Sequence, residues 1–244
     1  MIITSVNNEL VKDTAKLLRS KGRADAGLFL VEGTKGIQEA LDFGLEVVYI
    51  FSITGFETLP QRIETNEAVL SKISDAKTPP KAVAVVKQPV YNLNSVKQMK
   101  KVVLLEGIKD AGNLGTILRT AAAFNIDGIV LFGDTVDLYN PKCVRSAVGN
   151  LWKIPVFSVK DYDVLKQYFS DFERVATLPA GQKVINLSEY SPADRVLMMF
   201  GSEADGLSEE LKTFSTKRLT IEMADNVESL NLSVSAAIIM YKLQ

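Results

Sequence analysis

Residues 102–123 read VVLLEGIKDAGNLGTILRTAAA, and this stretch decides the fold. Val102–Leu105 is a short continuous apolar run, as expected of a parallel strand buried on both faces. A polar turn with Gly107 and Gly112 follows, and a helix is expected from about 113 to 124. The same strand–turn–helix unit recurs through the second half of the chain. Strands are expected at Val102–Leu105, Gly128–Phe132, Pro155–Val159, Arg174–Leu178, Val196–Phe200 and Arg218–Ile221, with helices near 113–124, 141–149, 161–169, 207–213 and 229–242. This alternation predicts an α/β domain with a parallel sheet and ligands at the carboxyl ends of its strands.

The first half reads as a smaller α/β unit. A helix over residues 7–20 with Val11, Ala15 and Leu18 on its apolar side precedes a strand at Leu28–Val31, a helix at Thr34–Phe43 and a strand at Val47–Phe51. A short helix at Asn66–Lys72 and a strand at Ala82–Val86 complete it near residue 90. Gln88–Lys101, with Pro89 and several Asn and Lys residues, reads as a connection. The domains expected are thus 1–90 and 102–244, with 91–101 as a linker.

Composition excludes several kinds of chemistry. The chain has 244 residues, 47% of them hydrophobic and 23% charged, which suits an ordinary globular protein with a full core. There is one cysteine and no histidine. Serine–histidine and cysteine–histidine nucleophiles are therefore absent, as are the common zinc sites, and no metal is expected. Proton transfer must use a carboxylate, Lys, Tyr, water or a less usual group. The N-terminal MIITSVNNELVK lacks the basic and apolar regions of a signal peptide, and no apolar run reaches the ~18 residues of a membrane span, so a cytoplasmic protein with no membrane partner is expected. The net charge is −1, and any nucleic-acid binding must come from local patches. One candidate is Lys12, Lys16, Arg19, Lys21 and Arg23; positions 12, 16 and 19 share a helical face. Such a cluster reads equally as a solvated helix face.

Three segments carry polar groups where an α/β sheet binds ligands. Gly107–Ala123 holds Asn113 and Arg119; Asn113 is either a helix cap or a site amide, and Arg119 is either an exposed or ion-paired cation or a phosphate ligand. Its glycines match neither the Walker nor the dinucleotide spacing. Phe200–Gly206, FGSEADG, follows a buried strand; Gly201 permits a close backbone approach to a ligand or a left-handed turn, and Glu203 can accept a hydrogen bond or a proton. Asn226–Ala237, NVESLNLSVSAA, brings Glu228, Ser229, Asn231 and Ser233 to the start of an apolar helix, which by itself is also what a Ser/Asn-capped helix looks like.

Together these segments resemble the three motifs of the SpoU (TrmH) branch of the SPOUT RNA methyltransferases. The first is Asn113-Leu-Gly115-Thr-Ile-Leu-Arg119-Thr-Ala121. The second is Phe200-Gly201-Ser202-Glu203-Ala-Asp-Gly206-Leu207. The third is Ile221-Glu-Met223 with Ser229-Leu230-Asn231-Leu-Ser233-Val-Ser-Ala236. Asp137–Arg145, DLYNPKCVR, resembles a further family segment, and Phe29-Leu-Val-Glu32-Gly33 is similar to the family's ribosomal-protein-like RNA substrate-binding domain. Two positions depart from the pattern: Glu222 stands where proline is common and Asn125 where glycine is common.

The resemblance implies a parallel-sheet SPOUT domain with a deep trefoil knot, a threading that ordinary chain connections avoid, preceded by a small α/β RNA-binding domain. It implies a homodimer that transfers a methyl group from S-adenosylmethionine to a ribose 2′-hydroxyl of rRNA or tRNA. By position, Leu178, Gly181, Gly201, Ile221, Met223 and Leu230 are expected to hold the cofactor. Arg119, Glu203, Ser229 and Asn231 are expected to be catalytic, with Asn113 in support. RNA is expected to be held by the basic cluster, Lys142 and Arg145. The chemistry is an in-line displacement that requires the hydroxyl held about 3 Å from the methyl carbon. A guanidinium with pKa above ~12 is a poor base, so Arg119 suits a phosphate and a developing alkoxide, while Glu203 or water suits the proton. The rival readings are a non-catalytic RNA-binding or assembly protein on the same fold, and a base methyltransferase of the wider SPOUT class.

Overall fold

A computed structural model describes every residue except Gln182, Asp225 and Glu228; the Glu228 expected at the start of the last helix therefore lies outside the described residues. Backbone contacts divide the chain into two compact units. One comprises Met1–Val90 with Asp137–Lys153, the other Tyr91–Val136 with Ile154–Gln244.

The first unit opens with α1 (Glu9–Lys16) and α2 (Ser20–Ala26); the helix expected over residues 7–20 thus ends early, and a second helix forms where a turn was expected. Leu17 turns inward and is buried, and the chain folds back so tightly that a Cβ at Gly22 would lie 2.2 Å from the Lys16 carbonyl oxygen. Strand β1 (Leu28–Glu32), helix α3 (Thr34–Asp42), strands β2 (Val47–Ser52) and β3 (Arg62–Glu64), helix α4 (Glu67–Lys72) and strand β4 (Ala82–Lys87) follow. The sheet order is β1-β4-β2-β3, with β4 antiparallel to both neighbours and β2 parallel to β3. Leu30, Phe51, Ile63, Leu70 and Val83 share its core with Val11 and Leu17. Each such side chain contributes roughly 1.5–3 kcal/mol on burial.

The second unit is a seven-stranded sheet, every pair of which is parallel. Its strands are β5 (Lys101–Glu106), β6 (Gly128–Phe132), β7 (Val156–Val159), β8 (Glu173–Thr177), β9 (Ile185–Asn186), β10 (Val196–Phe200) and β11 (Lys217–Thr220), in the order β7-β6-β5-β10-β8-β11-β9. The central β6 and β10 are buried at every residue, which is why they read as unbroken apolar runs. Helices α5 (Ala111–Ala123), α7 (Tyr162–Phe169), α8 (Glu209–Phe214) and α9 (Leu232–Lys242) lie between or after these strands. Asn125, just past α5, has φ +52°, a conformation that asparagine adopts more readily than most side chains. The two-residue β9 has too little periodicity to be legible in sequence.

Two segments group otherwise than the sequence suggests. Within 91–101, read as a linker, Leu93–Gln98 forms a 3-10 helix capped by the Asn92 side chain, and Val96 and Met99 are buried in the core of the second unit. Those two apolar side chains are masked in the sequence by surrounding Lys and Asn. Residues 137–153, which lie between β6 and β7, group with the first unit. Their helix α6 (Pro141–Ala147) packs on β1. Among the described residues no helix is long and apolar enough to cross a membrane, and no group of three metal-ligating side chains occurs.

Candidate active site

Parallel strands end together at one edge of the sheet, and the chain that leaves β8, β10 and β11 there lines a cavity of about 600 Å³. Leu178 and Pro179 follow β8, Gly201–Leu207 follow β10, and Ile221 and Met223 follow β11. Ser229–Leu232, Ser235 and Ile239 close it at the start of α9. Leu178, Gly201, Ile221, Met223 and Leu230, all expected around a cofactor, are lining residues; Gly181 is exposed and is not among them.

The loop after β10 depends on a glycine, though not because of a left-handed backbone. The chain doubles back so closely that a Cβ on Gly201 would lie 2.0 Å from the Gly206 carbonyl carbon. Ser202 and Gly206 form a bridge across the turn, and the Ser202 hydroxyl accepts from the Asp205 amide at 3.0 Å. The Ser208 amide donates to the Glu106 carboxylate at 2.7 Å, tying the loop to the end of β5.

Asn113 belongs to α5, whose N-cap is Asp110: that side chain accepts from the Asn113 amide at 2.8 Å. The helix thus begins earlier than the sequence suggests, and the Asn113 side chain is released from capping. It donates to the Glu203 carboxylate and accepts from the Asn231 amide at 3.2 Å. The Asn231 oxygen caps α9, accepting from the Ser233 amide at 2.9 Å and its hydroxyl at 2.6 Å. Asn231 is therefore both the cap that the local sequence allows and a site amide. Glu203, Asn113 and Asn231 form one hydrogen-bonded chain drawn from three distant segments, and Ser229 lines the cavity beside it. Arg119 is not brought into this chain. It sits exposed on α5 and makes no hydrogen bond or ion pair among the described residues.

One part of the cavity wall had no sequence signal beyond an unexpected residue. Glu222, between Ile221 and Met223, accepts from the Leu187 amide at 3.1 Å, the Ser188 amide at 3.3 Å and the Ser188 hydroxyl. Hydrogen bonding, first from that hydroxyl, holds the Glu222 carboxyl below its ordinary range.

Residues 100–241 match the model of the SpoU rRNA Methylase family, and residues 8–84 match that of the MRM3-like substrate binding domain. The chain belongs to the SpoU rRNA methylase family. An uncharacterized tRNA/rRNA methyltransferase of Synechocystis is 32% identical, with 98% of this chain and 92% of that protein aligned. The 23S rRNA (guanosine(2553)-2'-O)-methyltransferase RlmP of Bacillus subtilis is 30% identical, covering 99% and 98% of the two chains. Among solved structures, an AdoMet-bound rRNA methyltransferase from Sinorhizobium meliloti superposes with a TM-score of 0.91 at 27% identity, covering 99% of this chain and 96% of that one.

In this SpoU chain the expected RNA-facing cations have unequal surroundings. Arg23 is a correction: it is 2% exposed, donates to Asp137 at 2.8 Å and to the Leu17 carbonyl at 2.7 Å, and is part of the core. Arg145 pairs with Glu32 at 3.1 Å and with Asp75. Burial opposes its charge, but those two carboxylates outweigh burial and raise its pKa further. Lys12 and Lys16 pair with Glu9 and Asp13, each at 2.8 Å, in exposed i,i+3 bridges. Such fully solvated bridges contribute little, so a phosphate can displace them, whereas breaking a buried pair like that of Arg23 costs about 3–5 kcal/mol. Arg19, Lys21 and Lys142 are exposed.

Proposed function

We infer that this protein transfers a methyl group from S-adenosylmethionine to a ribose 2′-hydroxyl of ribosomal RNA. The observation that carries the reading is the hydrogen-bonded chain Glu203–Asn113–Asn231 beside an apolar-walled cavity in a SpoU-family protein. The relative RlmP is named as a 23S rRNA 2'-O-methyltransferase, and the Sinorhizobium meliloti structure holds AdoMet.

The cavity suits the cofactor. Its volume lies within the ~300–1,000 Å³ of small-molecule sites. Leu178, Ile221, Met223 and Leu230 offer aliphatic walls to the adenine, and the carboxylates of Glu203 and Asp205 suit a cation. Gly181 belongs to the same proposed binding loop. Bound S-adenosylmethionine supplies the methyl group on a sulfonium that is already a good leaving group. The residues of the chain do the rest. Asn231, fixed as a helix cap, holds Asn113, and Asn113 holds Glu203. Glu203 takes the proton of the ribose hydroxyl, and Ser229 orients that hydroxyl. Arg119 grips the neighbouring phosphate and stabilises negative charge on the attacking oxygen.

RNA is drawn to the first unit through Arg19 and Lys21, with Lys12, Lys16 and Lys142 contributing and Arg145 buttressing α6. The protein acts as a homodimer in the cytoplasm, without a metal. In support of the dimer, Val234, Ile238 and Tyr241 form a stripe on α9 at helical spacing and remain 46%, 38% and 66% exposed. The trefoil knot implied by the resemblance is part of this reading; the sheet order, in which β11 lies between β8 and β9, supports it.

The test is incubation of purified protein with labelled S-adenosylmethionine and total rRNA and tRNA, followed by alkaline hydrolysis. Label retained in alkali-resistant dinucleotides is expected, because a methylated 2′-oxygen cannot attack its phosphate. Label recovered in mononucleotides, with none in alkali-resistant dinucleotides, would replace the reading with base methylation. Absence of transfer together with absence of cofactor binding would favour an RNA-binding protein without activity.

A further inference from the structure

We propose that Glu222 is a positioning residue for the cofactor: its carboxylate clamps the Ile221–Met223 wall of the cavity to the turn at Leu187–Ser188. The proposal rests on the S-adenosylmethionine reading above.

Three donors converge on this one side chain. Oε2 accepts from the Leu187 amide at 3.1 Å, while Oε1 accepts from the Ser188 amide at 3.3 Å and from the Ser188 hydroxyl. Two consecutive backbone N–H groups and a hydroxyl aimed at a carboxylate form a small anion-binding nest. The nest belongs to a formed turn, since the Glu189 amide donates to the Asn186 carbonyl at 3.1 Å and the Tyr190 amide to the Leu187 carbonyl at 3.3 Å. The Ser188 carbonyl in turn accepts from Lys242, in the last turn of α9, at 3.4 Å. Ser188 is thus held from both sides, by the wall that follows β11 and by the helix whose first residues close the cavity.

The clamp acts where the sheet gives little support. Parallel pairing of β11 with β9 covers only Leu219–Ile185 and Thr220–Asn186, and one further bond, from the Leu187 amide to the Thr220 carbonyl at 2.9 Å, ends the ladder. From Ile221 to Ala224 the chain has no regular structure, yet Ile221 and Met223 must keep their side chains in the cavity wall. Side chains at 221 and 223 point to the cavity while 222, between them, points away and is exposed, where it is free to grip the neighbouring turn. A wall held in place before the ligand arrives leaves less ordering to be done on binding. The same logic separates Glu222 from the reacting groups: among the described residues its hydrogen bonds go to Leu187 and Ser188, and not to Glu203, Asn113 or Asn231.

The experiment compares wild type with Glu222→Gln and Ser188→Ala by calorimetric titration with S-adenosylmethionine and by steady-state methyl transfer. An amide accepts on one oxygen only, so Glu222→Gln loses at least one bond to the nest. Its dissociation constant and KM for the cofactor are expected to rise about 5–20-fold, with kcat at saturating cofactor within about twofold of wild type. Ser188→Ala keeps both backbone donors and is expected to raise the same constants about 2–5-fold. In the double variant the two effects should fall short of multiplying, as for groups in contact. Unchanged cofactor constants in both single variants, or a loss confined to kcat, would overturn the proposal. Should Glu222→Gln fold poorly, Ser188→Ala alone decides. Absence of cofactor binding by the wild-type protein would instead refute the functional reading, so the two failures are distinguishable.

Discussion

The residues expected to be functional behave differently in the two units. In the second unit, Asn113, Glu203 and Asn231 come from segments 90 and 118 residues apart and end in one hydrogen-bonded chain. In the first unit, five basic side chains within a dozen residues scatter. Two pair with acids on their own helix, one is buried against Asp137, and only Arg19 and Lys21 remain unpaired among the described residues. The lesson concerns what holds each group. A parallel sheet ends all its strands at one edge, so loops that carry polar groups after strands must meet there. A cation on a helix surface has no such constraint and takes the nearest carboxylate.

That contrast is most easily broken at the site. Arg119→Ala is expected to lower kcat by about 10³-fold with cofactor affinity nearly unchanged, the size of effect seen when a charge-stabilising donor is removed. Arg119→Lys should stay poor, because a point charge does not reproduce the guanidinium fork. Wild-type turnover in the alanine variant, measured by single-turnover methyl transfer, would remove Arg119 from the reaction.

Gly201→Ala comes next. The added Cβ meets backbone rather than a flexible side chain, so the loop after β10 must shift. A drop of about 10²-fold in methyl transfer, with weakened cofactor binding, is expected; an unchanged titration curve would mean that the loop tolerates displacement.

In the first unit the largest effect should be on stability. Arg23→Ala leaves Asp137 without its buried partner and should cost about 3 kcal/mol in urea unfolding, near the lower end of the range for broken buried pairs. It should leave the salt dependence of RNA binding unaltered wherever the protein remains folded. Arg19→Ala and Lys21→Ala should do the reverse, keeping stability within about 0.5 kcal/mol while reducing the slope of log affinity against log salt by about 1 each. If Arg23→Ala changed the slope and Arg19→Ala did not, the division between core and surface cations would be mistaken.

Asn231→Ala tests whether one side chain does two tasks. Loss of the cap should cost about 1 kcal/mol, while loss of the contact to Asn113 should lower kcat. Asn231→Ser, which restores a capping oxygen without the amide donor, should recover stability but not turnover. The smallest effect is expected from Lys12→Ala, whose exposed bridge to Glu9 contributes less than about 0.5 kcal/mol to stability measured in the same way.

Most strands were legible because continuous apolar runs such as Val196–Phe200 have one natural fate in an α/β chain, burial on both faces of a parallel sheet. The glycine after β10 was legible as a special position, read as an approach to a ligand or a left-handed turn, whereas the structure uses it for a close approach to the chain's own backbone at Gly206. The sequence alone also determined the family, because three polar segments following strands match it together where each alone does not. What only the tertiary structure decided were matters of partnership. Asp110 rather than Asn113 caps α5, Arg23 is core rather than surface, and residues 91–101 and 137–153 contribute to units that their local composition does not suggest. Glu222, an unexpected residue in the sequence, acquires three donors from a turn 35 residues away. The physical reason is common to all of these. Burial and periodicity are properties of a segment and its solvent, and they leave a trace in local sequence; the identity of a hydrogen-bond or ion-pair partner is set by which strands the topology makes neighbours, and no local pattern encodes that.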